Sequence, residues 1–390
     1  MLTLRLAFKN MIGAGLRTWL NVLVLSIAFV AIIATQGLYN GMNKQAIHAM
    51  KEMEIAGGQY WHPQYDKYDP LTLSDARSEI PANLQPIIDK GSAVPILISQ
   101  GTIYPQGRIQ SVLINGIPPD QNVLGLPTES LTSGDADLPV LIGSRMAESA
   151  NLQVGDFVTV RWRDHQGTFD AADAEIVHIM TTQVSSVDNG QLWLPLDRLQ
   201  DMLGIPGYAT VVTVSESADI PQTAGAWQWH SVDNLTADLQ KIVQSKSSSA
   251  MIFYAFLLFM ALLAIFDTQI LSLFRRRKEM GTLMSLGMTR GQLIQLFTLE
   301  GALHGLLALG VGAIYGIPFL MWAAKTGLSL PDYADDAGMA IGNTIYPSYG
   351  AALLLGTTVV VLVTVTIVSY LPTRKITRLK PTDALRGKMS

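Results

Sequence analysis

The chain contains four long runs of apolar residues, separated by segments that follow other patterns. The runs cover residues 18–38, 250–274, 293–324 and 350–371. About 20 apolar residues in a helix are enough to cross a hydrocarbon layer of about 30 Å. The pattern therefore predicts four transmembrane helices.

Residues 39–249, between the first two runs, show the shorter periods of a folded domain. Strands are predicted where β-branched residues alternate with polar ones, at 111–114, 139–142, 157–160, 175–179 and 210–214. Helices are predicted at 143–151 and 196–203. The sequence thus predicts an α-helical membrane protein with four transmembrane helices and a large mixed α/β extracytoplasmic domain inserted between helices 1 and 2.

Four shorter segments complete the predicted layout. Residues 1–17 alternate apolar and basic residues, which is typical of an amphipathic lead-in at a membrane surface. Residues 275–292 form a short helical connection, and residues 325–349 a short loop on the other side. Residues 372–390 form a basic tail.

Two segments admit a second interpretation. The first apolar run is either a membrane anchor or a signal peptide, and its length favours the anchor because a signal core has about 7–15 residues. The serine-rich residues 243–249 are either a flexible tether or part of a stalk helix that continues into the second span. Leu235, Leu239 and Ile242 keep helical spacing, which favours the stalk.

The basic residues indicate the orientation. Of 27 Lys and Arg, 14 lie in residues 1–17, 275–292 and 372–390, whereas residues 39–249 carry 12 Lys and Arg against 24 Asp and Glu. Lys and Arg concentrate on the cytoplasmic side of membrane proteins. We therefore expect both termini in the cytoplasm and residues 39–249 outside.

The acidity of that outer segment makes a nucleic-acid partner unexpected. The chain has no cysteine, which excludes disulfides and thiolate metal sites.

Three separated segments resemble the FtsX-like, MacB-type permeases of ABC transporters. They are Leu6-Ala7-Phe8-Lys9-Asn10 with Gly37 to Met42, Asp267 to Arg290, and Pro372 to Ile376 with Leu379 to Arg386. The outer segments Pro139 to Gly143 and Leu152 to Asp156 are similar to the family's periplasmic core. Asn40-Gly41 and the four-span layout without a fused ATPase resemble the lipoprotein-releasing LolC and LolE branch most.

The resemblance implies a non-catalytic subunit of the inner membrane. Its expected partners are two cytoplasmic ATPase subunits, which bind ATP and Mg²⁺, and a second permease, identical or homologous. The chain has no phosphate-binding P-loop and we expect it to bind no cofactor itself. The implied mechanism is mechanical release of an amphipathic substrate, first of all lipoproteins, with a chaperone or adaptor outside. Export of small molecules or peptides through a tripartite pump, or FtsX-like regulation of a cell-wall hydrolase, are the alternatives.

The resemblance also implies where the ATPase docks. We expect a helix over residues 279–292 to receive it, with two glycines allowing close approach. The candidate residues of this coupling site are Arg276, Lys278, Glu279, Gly281, Leu286, Gly287 and Arg290.

A second set of candidates concerns helix packing. Small residues spaced four apart let membrane helices approach closely, within one protomer or across a dimer. In the third span these are Gly301, Gly305, Gly312 and Gly316.

Other polar and aromatic residues stand out without a complete pattern. Glu300 and His304, spaced i, i+4, predict a satisfied interior pair, with a proton or ion site or exposure to water as alternatives. Asp267 lies where the family more often has Asn, and the following basic residues could offset its charge. Trp227 and Trp229 suggest a core or interface role rather than a lipid contact. The remaining histidines, serines and carboxylates lack the spacing of an active site.

Overall fold

The computed structural model describes residues 16–132, 136–182, 184–221, 224–329 and 344–376. It divides into two compact units. The helical unit contains described residues 16–42, 242–328 and 345–376, and the sheet unit contains 43–241 with 329 and 344. The long helices are α1 (Leu16–Met50), α6 (Val232–Arg275), α8 (Arg290–Thr326) and α9 (Ala351–Ile376), with the short α7 (Arg277–Ser285) before α8.

Four helices of the described chain are long and apolar enough to cross a membrane. By length and composition they are Trp19–Ile55, Val232–Arg275, Arg290–Thr326 and Ala351–Arg374. Each covers one of the apolar runs, apart from residues 18 and 350. Helix α6 begins 18 residues before the apolar run at 250, so the serine-rich segment is helical and not a tether.

The core of the helical unit is built where these helices meet. Leu25 and Ile33 of α1 pack with Ile265 of α6, Ala308 of α8 and Val365 of α9, and all five are buried. The outward faces stay apolar, with Phe256 and Phe259 of α6 more than half exposed. An apolar outer surface suits lipid, because lipid tails do not penalise exposed hydrocarbon.

The sheet unit is built around a nine-stranded sheet. In chain order the described strands are β1 (Gly58–Trp61), β2 (Ser78–Glu79), β3 (Ala93–Ile103), β4 (Gln110–Ile117), β5 (Pro139–Gly143), β6 (Phe157–Arg163), β7 (Phe169–Met180), β8 (Gln191–Pro195), β9 (Tyr208–Ala209), β10 (Val211–Val214), β11 (Gln228–Ser231), β12 (Leu328–Ser329) and β13 (Thr344–Ile345). Strands β2 and β9 form one small sheet and β12 and β13 another, and the other nine strands form the large sheet. The short helices are α2 (Gln85–Asp89), α3 (Ser144–Ala150), α4 (Ser185–Asp188) and α5 (Leu196–Leu203). The predicted α/β domain is thus present, and all five predicted strand segments fall on strands, except for Thr210 between β9 and β10.

Six strands close into a barrel because β3, the first strand of the series, pairs with β4 and also with β6, the last strand. The order is β3-β4-β8-β5-β7-β6, and β6 returns to pair antiparallel with the end of β3. Alternate residues of all six strands, such as Val158, Val160 and Trp162 of β6, are buried in one apolar cluster. The other end of β3 carries β10, β1 and β11, so β3 belongs to both halves of the sheet.

The four candidate packing glycines of α8 face other helices of the same chain. A methyl group on Gly301 would overlap Ser369 of α9, and one on Gly316 would lie 2.7 Å from Val30 of α1. Gly305 and Gly312 make looser approaches to α9 and α1. These glycines therefore support packing within one protomer.

Replacing Gly301 with alanine should destabilise the helical unit, whereas Gly310→Ala should not. Overpacking costs about 1–3 kcal/mol, and Gly310 has no other atom within 4 Å of the added methyl. Both substitutions gain the same intrinsic helix preference of about 1 kcal/mol. Unfolding of the purified full chain by SDS titration, followed by circular dichroism, measures the difference. Equal stability of the two variants would contradict the packing described here.

Candidate functional site

The connection between α6 and α8 is a compact turn built around α7. Arg276 interrupts the helix between α6 and α7 with φ −96° and ψ 17°. The backbone hydrogen bonds continue through this point, since the amide of Arg276 donates to Ser272 at 3.0 Å and that of Met280 donates to Arg276 at 3.0 Å. Main-chain hydrogen bonds thus bridge the interruption on both sides of Arg276.

One side of α7 is anchored by apolar packing. Met280 is buried together with Leu273 of α6 and with Leu293 and Phe297 of α8. Gly281, next to Met280, is also buried. Gly281 was expected to allow a partner to approach, but the structure places it on the inward side.

The end of α7 corrects the expectation of one helix over residues 279–292. The amide of Gly287 donates to Met284 and that of Met288 donates to Leu283, which is the Schellman arrangement of a helix end. Gly287 has φ +95°, a conformation that costs other residues energy. A new helix then starts at Thr289, whose side chain and backbone form a reciprocal capping box with Gln292.

The outward side of this turn carries a surface of mixed chemistry. Lys278, Glu279, Leu286 and Arg290 are exposed, and these four residues are called the coupling surface below. Leu286 is 80% exposed although it is a large apolar side chain. The outward side of the turn thus presents one apolar and three charged side chains.

Arg276 points inward and joins three elements. Its Nε donates to Glu279 at 2.7 Å, and its Nη1 donates to both carboxylate oxygens of Glu300 on α8 at 2.9 and 3.1 Å. Its guanidinium also lies 5.1 Å from the centre of the Phe297 ring. Arg276 was predicted as a residue of the coupling site, and the structure shows it as a bridge from the turn to α8.

Glu300 and His304 do not pair through their side chains. Nδ1 of His304 lies 2.9 Å from the backbone carbonyl of Glu300, one helical turn earlier, and the Glu300 carboxylate binds Arg276. The interior position of both residues was predicted, but the partner of Glu300 was not. Asp267 is exposed on α6 and makes no ion pair with any described side chain.

Neither unit offers a metal site in its described parts. No group of three or more His, Asp or Glu residues stands close enough to hold an ion there. Trp227 is buried in a cluster with Tyr60 and Val212, as its predicted core role required.

Comparison with known families identifies the chain. The model of the FtsX-like permease C-terminal region matches residues 251–381, which include α7 and the coupling surface. The model of the MacB-like periplasmic core domain matches residues 18–228, more than half of the chain. The chain belongs to the FtsX-like, MacB-type permeases of ABC transporters.

One curated relative of this permease is an uncharacterized ABC transporter permease, YknZ, from Bacillus subtilis (strain 168). It is 22% identical over 267 residues, which are 63% of this chain and 61% of the relative. The crystal structure of the extracellular domain of YknZ, described as a noncanonic ABC-type transporter from Gram-positive bacteria, is 16% identical. That match covers 47% of this chain and 94% of the other, with a TM-score of 0.25. The closer placement beside LolC and LolE stays a prediction.

For this permease, Glu300→Gln should be much more costly than Glu279→Gln. Glu300 has 7% of its side chain exposed and Glu279 has 62%. Leaving a buried partner unsatisfied costs about 1–3 kcal/mol, whereas an exposed ion pair contributes less than about 1 kcal/mol. SDS unfolding of both variants measures this, and a larger loss for Glu279→Gln would contradict the bridge.

Proposed function

We propose that this permease receives force from a separate cytoplasmic ATPase at the coupling surface and transmits it to the outer domain. The observation that carries the proposal is Leu286, an apolar side chain exposed on a turn that is otherwise tightly anchored. Lys278, Glu279 and Arg290 are exposed on the same turn and carry charges of both signs. A soluble partner could bury the leucine and pair the charges.

The internal contacts of the turn support transmission. Met280 packs under α7, and Arg276 ties the start of α7 to Glu300 on α8. A push on the coupling surface would therefore move α7 and the ends of α6 and α8 together. Helix α6 is unbroken over 44 residues, which is about 66 Å at 1.5 Å per residue. A displacement at Arg275 would be carried along it toward Val232.

The nature of the helices favours an amphipathic substrate over a small ion. The exposed faces of the long helices are apolar, and in their described parts the buried charge of Glu300 is paired with Arg276. A conduit for ions would instead need polar groups lining a path. We propose that both termini lie in the cytoplasm, that the subunit works in the inner membrane, and that it pairs with an identical or homologous permease.

Lipoproteins extracted from the outer leaflet are the substrate class we propose first. They are amphipathic, and they would be released by movement of the outer domain without crossing the membrane. Export through a tripartite pump and regulation of a cell-wall hydrolase are the two other functions compatible with the same motion. Co-purification separates the three, since they require a lipoprotein chaperone, an adaptor with an outer duct, or a hydrolase.

Replacing Leu286 with aspartate should abolish association with the ATPase. A matched control is Leu71→Asp in the sheet unit, because Leu71 is 79% exposed and Leu286 is 80% exposed. Each variant is purified from native membranes in mild detergent, and co-purifying ATPase and ATP hydrolysis are measured. We expect a stoichiometric ATPase with the unchanged chain and with Leu71→Asp, and a loss of at least tenfold with Leu286→Asp.

The proposal would be contradicted by either of two results. One is that no ATPase accompanies the unchanged permease. The other is that Leu286→Asp and Leu71→Asp retain the ATPase equally. Circular dichroism of both variants checks that the helices remain folded.

A further inference from the structure

A small cavity lies on one face of the sheet in the sheet unit. It has a volume of about 90 Å³. Five adjacent strands, β1, β10, β3, β4 and β8, contribute side chains to its wall, among them Trp61, Ile98, Leu113 and Trp193. The wall formed by the strands is thus largely aliphatic and aromatic.

The opposite wall comes from the ends of two long helices. Met50 is the last residue of α1, Glu54 belongs to the single π-helical turn that follows it, and Leu235 lies in the first turn of α6. The backbone is unusual just after the π-helical turn, because Ala56 has φ +42°. π-helical turns are rare and are frequent at functional sites.

Most polar groups of the inner wall already form hydrogen bonds within the protein. Gln59 donates to the backbone of Glu54 at 2.9 Å and to Thr213 at 3.0 Å, and it accepts from the indole of Trp61 at 2.7 Å. The buried indole N–H of Trp193 has no partner in the described part of the chain. The inner wall is therefore mainly apolar, with one unused hydrogen-bond donor, the indole N–H of Trp193.

The two charged residues of the cavity have opposite signs and remain partly exposed. Glu54 accepts a hydrogen bond from Ser186 at 3.3 Å, and Lys67 lies 3.4 Å from Asp238 with 32% of its side chain exposed. Tyr65 also lines the cavity, and burial, followed by the negative charges of Glu54 and Asp66, raises the pKa of its phenol. Tyr65 is therefore a neutral hydrogen-bonding group, and the charged residues of the lining are one acid and one base.

We propose that this cavity binds the apolar chain end of an uncharged or zwitterionic amphipath, with its polar head held between Glu54 and Lys67. Complete drug-sized ligands need about 300 Å³ or more, and an apolar cavity of 150 Å³ accepts benzene. The volume here therefore fits a chain end of a few carbon atoms. Only one part of this inference rests on the proposed function, namely that the bound amphipath is the substrate of the permease.

A ligand in this cavity would touch both helix ends at once. It would contact Met50 and Glu54 after α1 and Leu235 at the start of α6. A bound ligand would therefore favour the arrangement of these two helix ends that leaves room for its apolar chain end. This offers a physical route by which substrate binding in the outer domain could influence the long helices.

Fluorine NMR of the full chain tests the proposal directly. The seven tryptophans are replaced by 5-fluorotryptophan, and Trp61→Phe and Trp193→Phe assign the two cavity resonances. The chain, in nanodiscs, is titrated with n-butanol, n-butylammonium and butyrate. We expect n-butanol to shift the Trp61 and Trp193 resonances saturably. Each ionic probe should bind at least several-fold more weakly, because entering a mainly apolar cavity costs an ion its hydration.

Cavity-filling variants provide the control. Ile98→Phe and Leu113→Phe should each abolish the saturable shifts, whereas Ile109→Phe, at a surface position that is 73% exposed, should leave them unchanged. Thermal unfolding selects whichever filled variant is folded. Trp19 and Trp322 lie on long helices and are more than half exposed. Shifts of their resonances therefore report unspecific partition of the probes into lipid.

The inference would be overturned by shifts that do not saturate, that are equal at all seven tryptophans, or that persist in the filled variants. It would equally be overturned if n-butylammonium or butyrate bound more tightly than n-butanol. The titration needs no ATPase. A failure of the ATPase to associate would therefore contradict the proposed function without affecting the outcome for the cavity.

Discussion

The ion pair between Arg276 and Glu300 is the constraint on which the turn between α6 and α8 depends. A carboxylate buried on α8 is tolerated only with a partner, because an isolated buried charge is strongly unfavourable. Arg276 reaches it from the break between α6 and α7, and both carboxylate oxygens accept from the same nitrogen. The partner of the buried charge thus also fixes where α6 ends and how α7 begins. This pair and the packing of Met280 anchor α7 from inside.

The same principle of close internal packing applies along α8. Glycine at positions 301 and 316 lets α9 and α1 approach closer than any side chain would allow. These contacts connect the helix that bears Glu300 with other long helices of its unit. In the sheet unit, β3 plays a comparable role, since it closes the barrel at one end and carries β10, β1 and β11 at the other. A few shared elements therefore hold each unit together.

Local patterns in the sequence predicted much of this fold, whereas contacts between distant residues were not predictable. The apolar runs and β-branched alternations located the helices and five strand segments because both signals depend on neighbouring residues. The return of β6 to β3 and the bridge from Arg276 to Glu300 depend on residues far apart in sequence. The end of α7 was missed although its signal was present. Gly287 followed by Thr289 and Gln292 is a helix stop and a capping box, but the general helical character of residues 279–292 outweighed it.

We propose that the ATPase subunit contacts this permease at Leu286. The chain lacks cysteine, so Leu286→Cys can carry a single benzophenone crosslinker in native membranes, with Leu71→Cys as its control. The account predicts that irradiation links position 286, but not position 71, to an ATPase with a nucleotide-binding P-loop. Crosslinks from position 286 to lipid alone, or to proteins that bind no nucleotide, would contradict it.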